Sequence, residues 1–191
     1  MKGHATRSYA FLALWVIVAF IGCSPSVGPG ESSDAGCQGA IECKGIPFPV
    51  PGVPALSQIS AGSWHTCGLA ADGAAWCWGF NWMGETGSTR LGPTERDPAQ
   101  VPGGLAFAEI SANHGYTCAL TLDGALYCWG LNLSGLLGTG TTTGISTTPQ
   151  QVAGGYSFTL MSAGSTHMCG VTAAGAAYCW GDNTALQLGG R

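Results

Sequence analysis

The sequence has few charged residues and no long run of apolar ones. Only 8% of its 191 residues are charged, against 46% hydrophobic, and the formal net charge is −4. A nucleic-acid-binding protein needs a basic stripe that displaces counterions from phosphates, and this acidic chain has only six Lys and Arg residues. The composition therefore excludes nucleic acid as a partner.

The longest uninterrupted apolar run covers residues 10–21, which is too short to cross a bilayer as a helix. Such a run after a basic start is typical of a secretion signal. It ends in FIGCS (20–24), which resembles a bacterial lipoprotein processing site. The resemblance implies that Cys23 is lipidated and becomes the N-terminus, with the protein held at the outer membrane or cell surface. An uncleaved anchor and an ordinary secretion signal are the alternatives.

The cysteine count supports export. The chain has nine cysteines, an odd number that needs an explanation in an exported protein. Lipid on Cys23 leaves eight, and export places them where disulfides persist. They fall into four local pairs: Cys37/Cys43, Cys67/Cys77, Cys118/Cys128 and Cys169/Cys179.

Composition divides the chain into three segments. Residues 1–22 form the signal segment. Residues 23–46 are rich in Ser, Gly and Pro without apolar periodicity, which predicts a flexible tether. Residues 47–191 form the ordered domain.

The ordered domain repeats every 51 residues without a gap, as units 47–97, 98–148 and 149–191. The units are identical at 13 of the 43 positions that all three contain. An ungapped period of this length indicates a propeller or a solenoid. Three full units would need 153 positions and 145 are present, so we expect an open arc with uncovered blade faces that self-associate.

Each unit contains a predicted hairpin. Strands over 64–70 and 74–79 flank Ala71-Asp72-Gly73, where a three-residue loop needs a left-handed last residue. That loop places Cys67 opposite Cys77, at a distance that allows a disulfide. The alternative is a metal site using His65, Cys67, His167 and Cys169. It is disfavoured because these ligands are a whole repeat apart and the middle unit has Tyr116 in place of His.

Apolar side chains occupy both faces of the hairpin, since Trp76 and Trp78 lie opposite Cys77. A sheet buried on both faces has neighbours on both sides, as stacked propeller blades do. The sequence therefore predicts an all-β partial propeller of about three antiparallel repeats.

The runs WGFNWMGETG (78–87), WGLNLSGLLGTG (129–140) and WGDNTALQLGG (180–190) resemble the repeat of the regulator of chromosome condensation family. That repeat carries Trp-Gly-x-Asn-x-x-Gly-Gln-Leu-Gly after an Asp-Gly hairpin, and the resemblance implies a β-propeller. Here Glu85 and Leu136 stand where Gln is usual, and Leu186 replaces a Gly. The paired cysteines resemble the exported bacterial branch of the family, so the family's nucleotide-exchange activity is not carried over.

In a repeat protein, identical positions report packing, so we expect function where the copies differ. The connection 85–97 is charged and its counterpart 136–148 is not. The interaction residues predicted on this basis are Trp82, Glu85, Arg90, Glu95, Arg96 and Asp97.

The function predicted is a non-catalytic binding module for an unknown protein or surface ligand, with no cofactor. A propeller-based hydrolase is one alternative, for which Glu109 and Asp182 are the acids least explained by the repeat. A truncated fragment of a longer propeller protein is the other. No nucleophile elbow, phosphate loop or His-Glu-x-x-His motif occurs.

Overall fold

The computed structural model of the protein describes residues 46–189. The chain divides into two units, 1–49 and 50–191, and the described part of the first, residues 46–49, contains no strand. Cys23, Cys37, Cys43 and the predicted signal and tether (up to residue 45) lie outside the described residues. Within them no helix is long and apolar enough to cross a membrane.

Eleven strands make up the described part of the second unit. In chain order they are β1 (Leu56–Ala61), β2 (His65–Ala70), β3 (Ala75–Asn81), β4 (Gly92–Gln100), β5 (Phe107–Ala112), β6 (Tyr116–Thr121), β7 (Leu126–Leu131), β8 (Ile145–Gln151), β9 (Phe158–Ala163), β10 (His167–Thr172) and β11 (Ala177–Gly181).

These strands form three antiparallel sheets in which neighbours in sequence are neighbours in space. Blade 1 has the order β1-β2-β3-β4, blade 2 the order β5-β6-β7-β8, and blade 3 the order β9-β10-β11. One sheet for each repeat confirms the predicted all-β, partial-propeller fold. Within residues 46–189, β11 pairs with β10 alone.

The central hairpin of each blade has the predicted three-residue loop. The Ala70 N–H donates to the Ala74 carbonyl and the Gly73 N–H to the Ala70 carbonyl, both at 2.9 Å. Gly73 has φ of 82°, a left-handed conformation that glycine adopts without steric cost. Gly124 and Gly175 repeat it at 87° and 79°, so the glycine sets the register of all three hairpins.

That register brings the cysteines together as predicted. Cys67 faces Cys77, Cys118 faces Cys128 and Cys169 faces Cys179, each pair joined by a disulfide with Cα atoms 4.1 Å apart. A bond that closes a loop of this length contributes about 3 kcal/mol in the chain-entropy account. Each hairpin is therefore held by its own cross-link.

The connections after the hairpins differ from the sequence prediction. Much of 85–97, predicted as a connection, belongs to strand β4, and part of 136–148 belongs to β8. These strands contain proline and mix polar with apolar residues, so they lack the alternating pattern from which a strand is predicted. An outer strand tolerates both because only alternate N–H groups need to face its single neighbour.

The hydrophobic core lies between blades. Blade 1 contributes Cys67, Leu69, Ala75 and Cys77, which we call its disulfide face. Blade 2 meets it with the opposite side of its own sheet, the tryptophan face, which includes Phe107, Ile110, Ala112 and Trp129. The disulfide face of blade 2 likewise packs against the side of blade 3 that carries Phe158 and Trp180.

Candidate interaction surface

The loop between β3 and β4 is organised by Asn81, which is fully buried. Its Oδ1 accepts the Thr86 N–H at 3.0 Å, and its Nδ2 donates to the carbonyl of Arg90 at 2.9 Å. Asn132 and Asn183 accept the N–H of Leu137 and Leu188 in the same way, each at 3.0 Å. The Asn of the repeated Trp-Gly-x-Asn motif is thus a loop-forming residue and not a contact residue.

Glu85 does not belong to the surface, contrary to the sequence prediction. Its side chain is 1% exposed, and its Oε2 accepts the Met83 N–H at 2.7 Å. The Gln187 side chain accepts the Ala185 N–H in the same position of blade 3. Burial raises the pKa of Glu85, while hydrogen bonds from the Glu85 and Met83 backbone oppose that rise. The Glu85 carboxyl therefore stabilises the loop at the position where the repeat usually has glutamine.

The other predicted charged residues lie along the loop and the outer strand β4. Arg90, Arg96 and Asp97 are exposed. Glu95 is half-buried, and its Oε2 accepts the Thr86 hydroxyl at 3.0 Å. Of these four, Arg90 alone lies in the loop at the end of the blade.

Two exposed tryptophans mark that end of blade 1. Trp82 follows β3 and is 56% exposed, and Trp64 precedes β2 and is 67% exposed. The Phe80 N–H donates to the Trp64 carbonyl at 2.9 Å, which joins the two segments, and Met83 is also exposed. We call Trp64, Trp82, Met83 and Arg90 the loop-end patch.

The sequence prediction makes Trp64 the first residue of a strand and so leaves it out of the interaction residues. A signal was present, since its counterparts are Gly115 and Thr166, so the three copies disagree at this position.

The corresponding end of blade 2 has a different chemistry. A cleft of about 380 Å³ lies there, lined mainly by uncharged polar side chains that include Asn132, Thr139, Thr141 and Thr143. Leu133, the counterpart of Trp82, is exposed. At this end, aromatic area and charge are therefore greater on blade 1 than on blade 2.

The position shared by His65, Tyr116 and His167 is structural in the first two blades. His65 Nε2 donates to Thr117 Oγ1 at 2.7 Å, because the single Thr117 proton is used on the Glu85 carbonyl at 2.8 Å. Burial lowers the pKa of His65 to about 4. Tyr116 instead donates to the carbonyls of Gly164 at 2.6 Å and His167 at 3.0 Å.

A metal centre finds no support at these positions. Within residues 46–189 no three His, Cys, Asp or Glu side chains are grouped so that they could hold an ion. The thiols of the predicted alternative are joined in disulfides to Cys77 and Cys179.

The two acids named for a hydrolase have separate local roles. Asp182 accepts the Thr184 hydroxyl at 2.7 Å and the Gln187 amide at 2.9 Å, and these hydrogen bonds lower its pKa. Glu109 lies on the first strand of blade 2, where burial raises its pKa.

Comparison with known proteins identifies the repeat. A model of the regulator of chromosome condensation (RCC1) repeat matches residues 56–84, 107–135 and 158–187, once in each blade. A second model of the same repeat matches residues 123–171. The chain belongs to the RCC1 repeat family. Each match of the first model starts at the first strand of a blade and extends past its Trp-Gly-x-Asn motif, which confirms the resemblance seen in the sequence.

Similar RCC1-repeat proteins are much longer than this chain. Probable E3 ubiquitin-protein ligase HERC3 of Homo sapiens is 38% identical over 85 residues, which are 44% of this chain and 8% of that protein. Ultraviolet-B receptor UVR8 of Arabidopsis thaliana is 32% identical over 140 residues, which are 70% of this chain and 31% of that protein. The chain spans less than a third of the length of either relative.

Solved RCC1-type structures share the fold. Prp20p of Saccharomyces cerevisiae matches 70% of this chain and 34% of its own, at 28% identity and a TM-score of 0.60. Human WBSCR16 matches 66% of this chain and 33% of its own, at a TM-score of 0.61, and its 21% identity shows the fold alone. RCC1-like repeats of this kind are commonly interaction modules.

Proposed function

We propose that the protein is a non-catalytic binding module that acts outside the cytoplasm, anchored by lipid on Cys23, and that it holds its partner through the loop-end patch. The observation that carries the proposal is the exposure of Trp64 and Trp82 at the same end of blade 1. Exposed apolar patches mark interaction sites, and tryptophan and arginine are among the residues most enriched at the energetic centre of protein interfaces.

The chemistry of the patch favours a protein partner with an apolar pocket and an acidic rim. Trp64, Trp82 and Met83 offer apolar area, and Arg90 supplies a cation beside it. Prp20p, one of the structures with the same fold, is described by its binding to Gsp1p and histones, which is consistent with RCC1-type blades that serve as protein-binding surfaces.

Binding is tested by capture from an envelope extract with the full-length chain. We expect Trp64→Ala and Trp82→Ala, alone and together, to lose the partner that the wild-type chain retains. Leu133→Ala, which changes the exposed counterpart of Trp82 on blade 2, is the matched control and should retain it. Capture that is equal for all variants would place the contact elsewhere.

Location is tested independently. Cys23→Ser removes the thiol that would carry the lipid, so we expect the variant to leave the membrane fraction and to lose incorporation of labelled fatty acid. Unchanged attachment and processing would contradict the lipid anchor and leave the loop-end patch unaffected as a proposal.

A further inference from the structure

Two blade faces lack the neighbour that covers their equivalents elsewhere in the described residues. Ile59 on the tryptophan face of blade 1 is 63% exposed, whereas Ile110, its counterpart on blade 2, is 2% exposed. Ala177 on the disulfide face of blade 3 is exposed, whereas its counterparts Ala75 and Leu126 are buried. The two open faces are therefore opposite halves of the junction that the fold already forms twice.

We propose that a second copy of this chain covers the disulfide face of blade 3 with the tryptophan face of its blade 1. Its Val50 then pairs with the open edge of β11. The contact is head-to-tail, because different surfaces of the two copies meet, and it repeats the arrangement that relates blade 1 to blade 2.

The segment 47–50 carries the sequence of an outer strand. In the 51-residue repeat, PFPV (47–50) corresponds to PAQV (98–101) and PQQV (149–152), which complete β4 and β8. The Val101 N–H donates to the Ala75 carbonyl, and the Val152 N–H donates to the Leu126 carbonyl, both at 2.8 Å. By the same register, the Val50 N–H donates to the Ala177 carbonyl of the second copy.

The prolines of the segment fit this pairing. Cys77 lies opposite Ala99 and Trp76 opposite Gln100. Because antiparallel N–H groups alternate in direction, those of residues 99 and 101 face β3 and that of residue 100 faces away. Val50 occupies a position that donates, and Pro49 occupies the adjacent position, where an N–H is not needed.

The side chains that would meet across the junction are already a matched pair. In the first junction His65 donates to Thr117, and in the second Tyr116 and Met168 occupy the same two positions. In the proposed junction, His167 of blade 3 faces Thr66 of the second copy, which restores the His–Thr pair. The Thr66 hydroxyl would then reach the Gln187 carbonyl, as Thr117 reaches the Glu85 carbonyl.

Two further hydrogen bonds have their partners in place. Trp129 and Trp180 donate through Nε1 to the carbonyls of Glu85 and Leu136, each at 3.1 Å, and Trp78 is positioned to do the same to Gln187. The Phe107 and Phe158 N–H groups donate to the Gly73 and Gly124 carbonyls, at 2.9 and 2.8 Å. Their equivalents, the Leu56 N–H and the Gly175 carbonyl, lie on the two open faces.

The contact is apolar where the faces meet. Leu160 on blade 3 is 61% exposed. Its counterpart in blade 1 is Gln58, whose Oε1 accepts the N–H of Ile110 in blade 2. In the proposed junction Leu160 would therefore lie beside Ile59 of the second copy, which is the counterpart of Ile110. A charge buried and unpaired at the centre of this contact would be costly.

The first experiment uses the full-length chain in detergent, with mass measured by sedimentation. We expect the wild-type chain to form species larger than one copy as concentration rises. Ile59→Glu and Ala177→Glu each disable one face at an exposed position, so both should fold, as judged by circular dichroism, and weaken association by more than about tenfold. A wild-type chain that stays a single copy overturns the proposal.

Mixing the two variants tests the head-to-tail geometry. Each variant keeps the face that the other has lost, so the mixture should form a one-to-one pair and nothing larger. No pair in the mixture, or undiminished association of either variant alone, would overturn the proposal.

The strand pairing is tested at Val50. Val50→Pro removes the donating N–H and should weaken association by about tenfold, whereas Val50→Ala keeps the N–H and should weaken it less. Pro49→Ala is the matched control and should leave association unchanged. Equal affinities for Val50→Pro and Val50→Ala would contradict the pairing.

Discussion

The two junctions between blades share one backbone frame but use different side chains. At the junction of blades 1 and 2, the Glu85 carbonyl accepts both the Thr117 hydroxyl and the Trp129 indole, and His65 donates to the same Thr117. At the junction of blades 2 and 3, the Leu136 carbonyl accepts the Trp180 indole alone. There Tyr116 crosses to blade 3, and Met168 fills the place of Thr117.

The difference indicates that the residue type on one side of a junction depends on its partner on the next blade. His goes with Thr because the hydroxyl relays a hydrogen bond to a carbonyl. Tyr goes with Met because the longer phenol reaches the backbone of the next blade and leaves an apolar space beside it. Among residues 46–189, the His–Thr pair leaves His65 Nδ1 buried without a hydrogen-bond partner, a cost that Tyr116 avoids.

The largest effect on stability is expected when one junction carries a residue from each of the two pairs, His–Thr and Tyr–Met. Thr117→Met alone removes the acceptor of His65 and adds bulk to a buried site, and should lower the free energy of unfolding by about 3 kcal/mol. The double variant His65→Tyr with Thr117→Met restores the pair and should be more stable than Thr117→Met by about 1 kcal/mol. Urea denaturation at neutral pH measures both.

The control for that exchange is Thr66→Met, the same change on the tryptophan face of blade 1. It should alter stability by less than about 0.5 kcal/mol when measured at high dilution. A double variant no more stable than Thr117→Met would show that the pairs are independent.

Acid should weaken the first junction more than the second. Burial lowers the pKa of His65 to about 4 from an ordinary 6.5, so the folded state favours the neutral ring. That preference is fully satisfied above pH 6.5 and is lost as the pH falls toward 4. Between pH 7 and 5 the wild-type chain should lose about 2 kcal/mol more than His65→Gln.

The comparison with His65→Gln isolates the histidine. Glutamine keeps a donor toward Thr117 but does not titrate, and the raised pKa of Glu85, which has the opposite effect on stability, is common to both chains. Parallel stability–pH curves for the two chains would contradict the role of His65.

The smallest effect is expected at the second junction. Tyr116→Phe removes the hydroxyl that donates to Gly164 and His167 and should cost about 1 kcal/mol. Tyr156→Phe, at a tyrosine that is 41% exposed, should cost less than about 0.5 kcal/mol. Thermal unfolding of the two variants side by side measures the difference. Equal losses of stability would contradict a stabilising role for the hydrogen bonds of the Tyr116 hydroxyl.

The hairpins could be predicted from the sequence because each is fixed by local chemistry. Gly73 sets the loop, the loop sets the register, and the register aligns Cys67 with Cys77. The outer strands could not be predicted, because an edge strand such as β4 tolerates proline and charge and has no alternating pattern. The same locality explains why the family could be recognised from a short hairpin and the run that follows it, repeated three times.

The candidate surface could be predicted only in part. Glu85 was assigned to the surface because it is charged, but the loop that Asn81 holds turns its carboxyl inward onto the Met83 N–H. The sequence prediction places Trp64 at the start of a strand, but it falls just before β2 and is exposed. Neither outcome follows from residue type, because the first depends on the conformation of the loop after β3 and the second on the residue at which β2 begins.

The outer strands also bear on how the protein behaves at high concentration. A long, flat, apolar edge strand is a template for amyloid-like stacking, and proline and charge on the edge prevent it. β4 carries Pro93 and Pro98 with Glu95, Arg96 and Asp97 between them, and β8 carries Pro149. Proline and charge on these two edge strands therefore act against pairing of the outer edges of blades 1 and 2 with other chains.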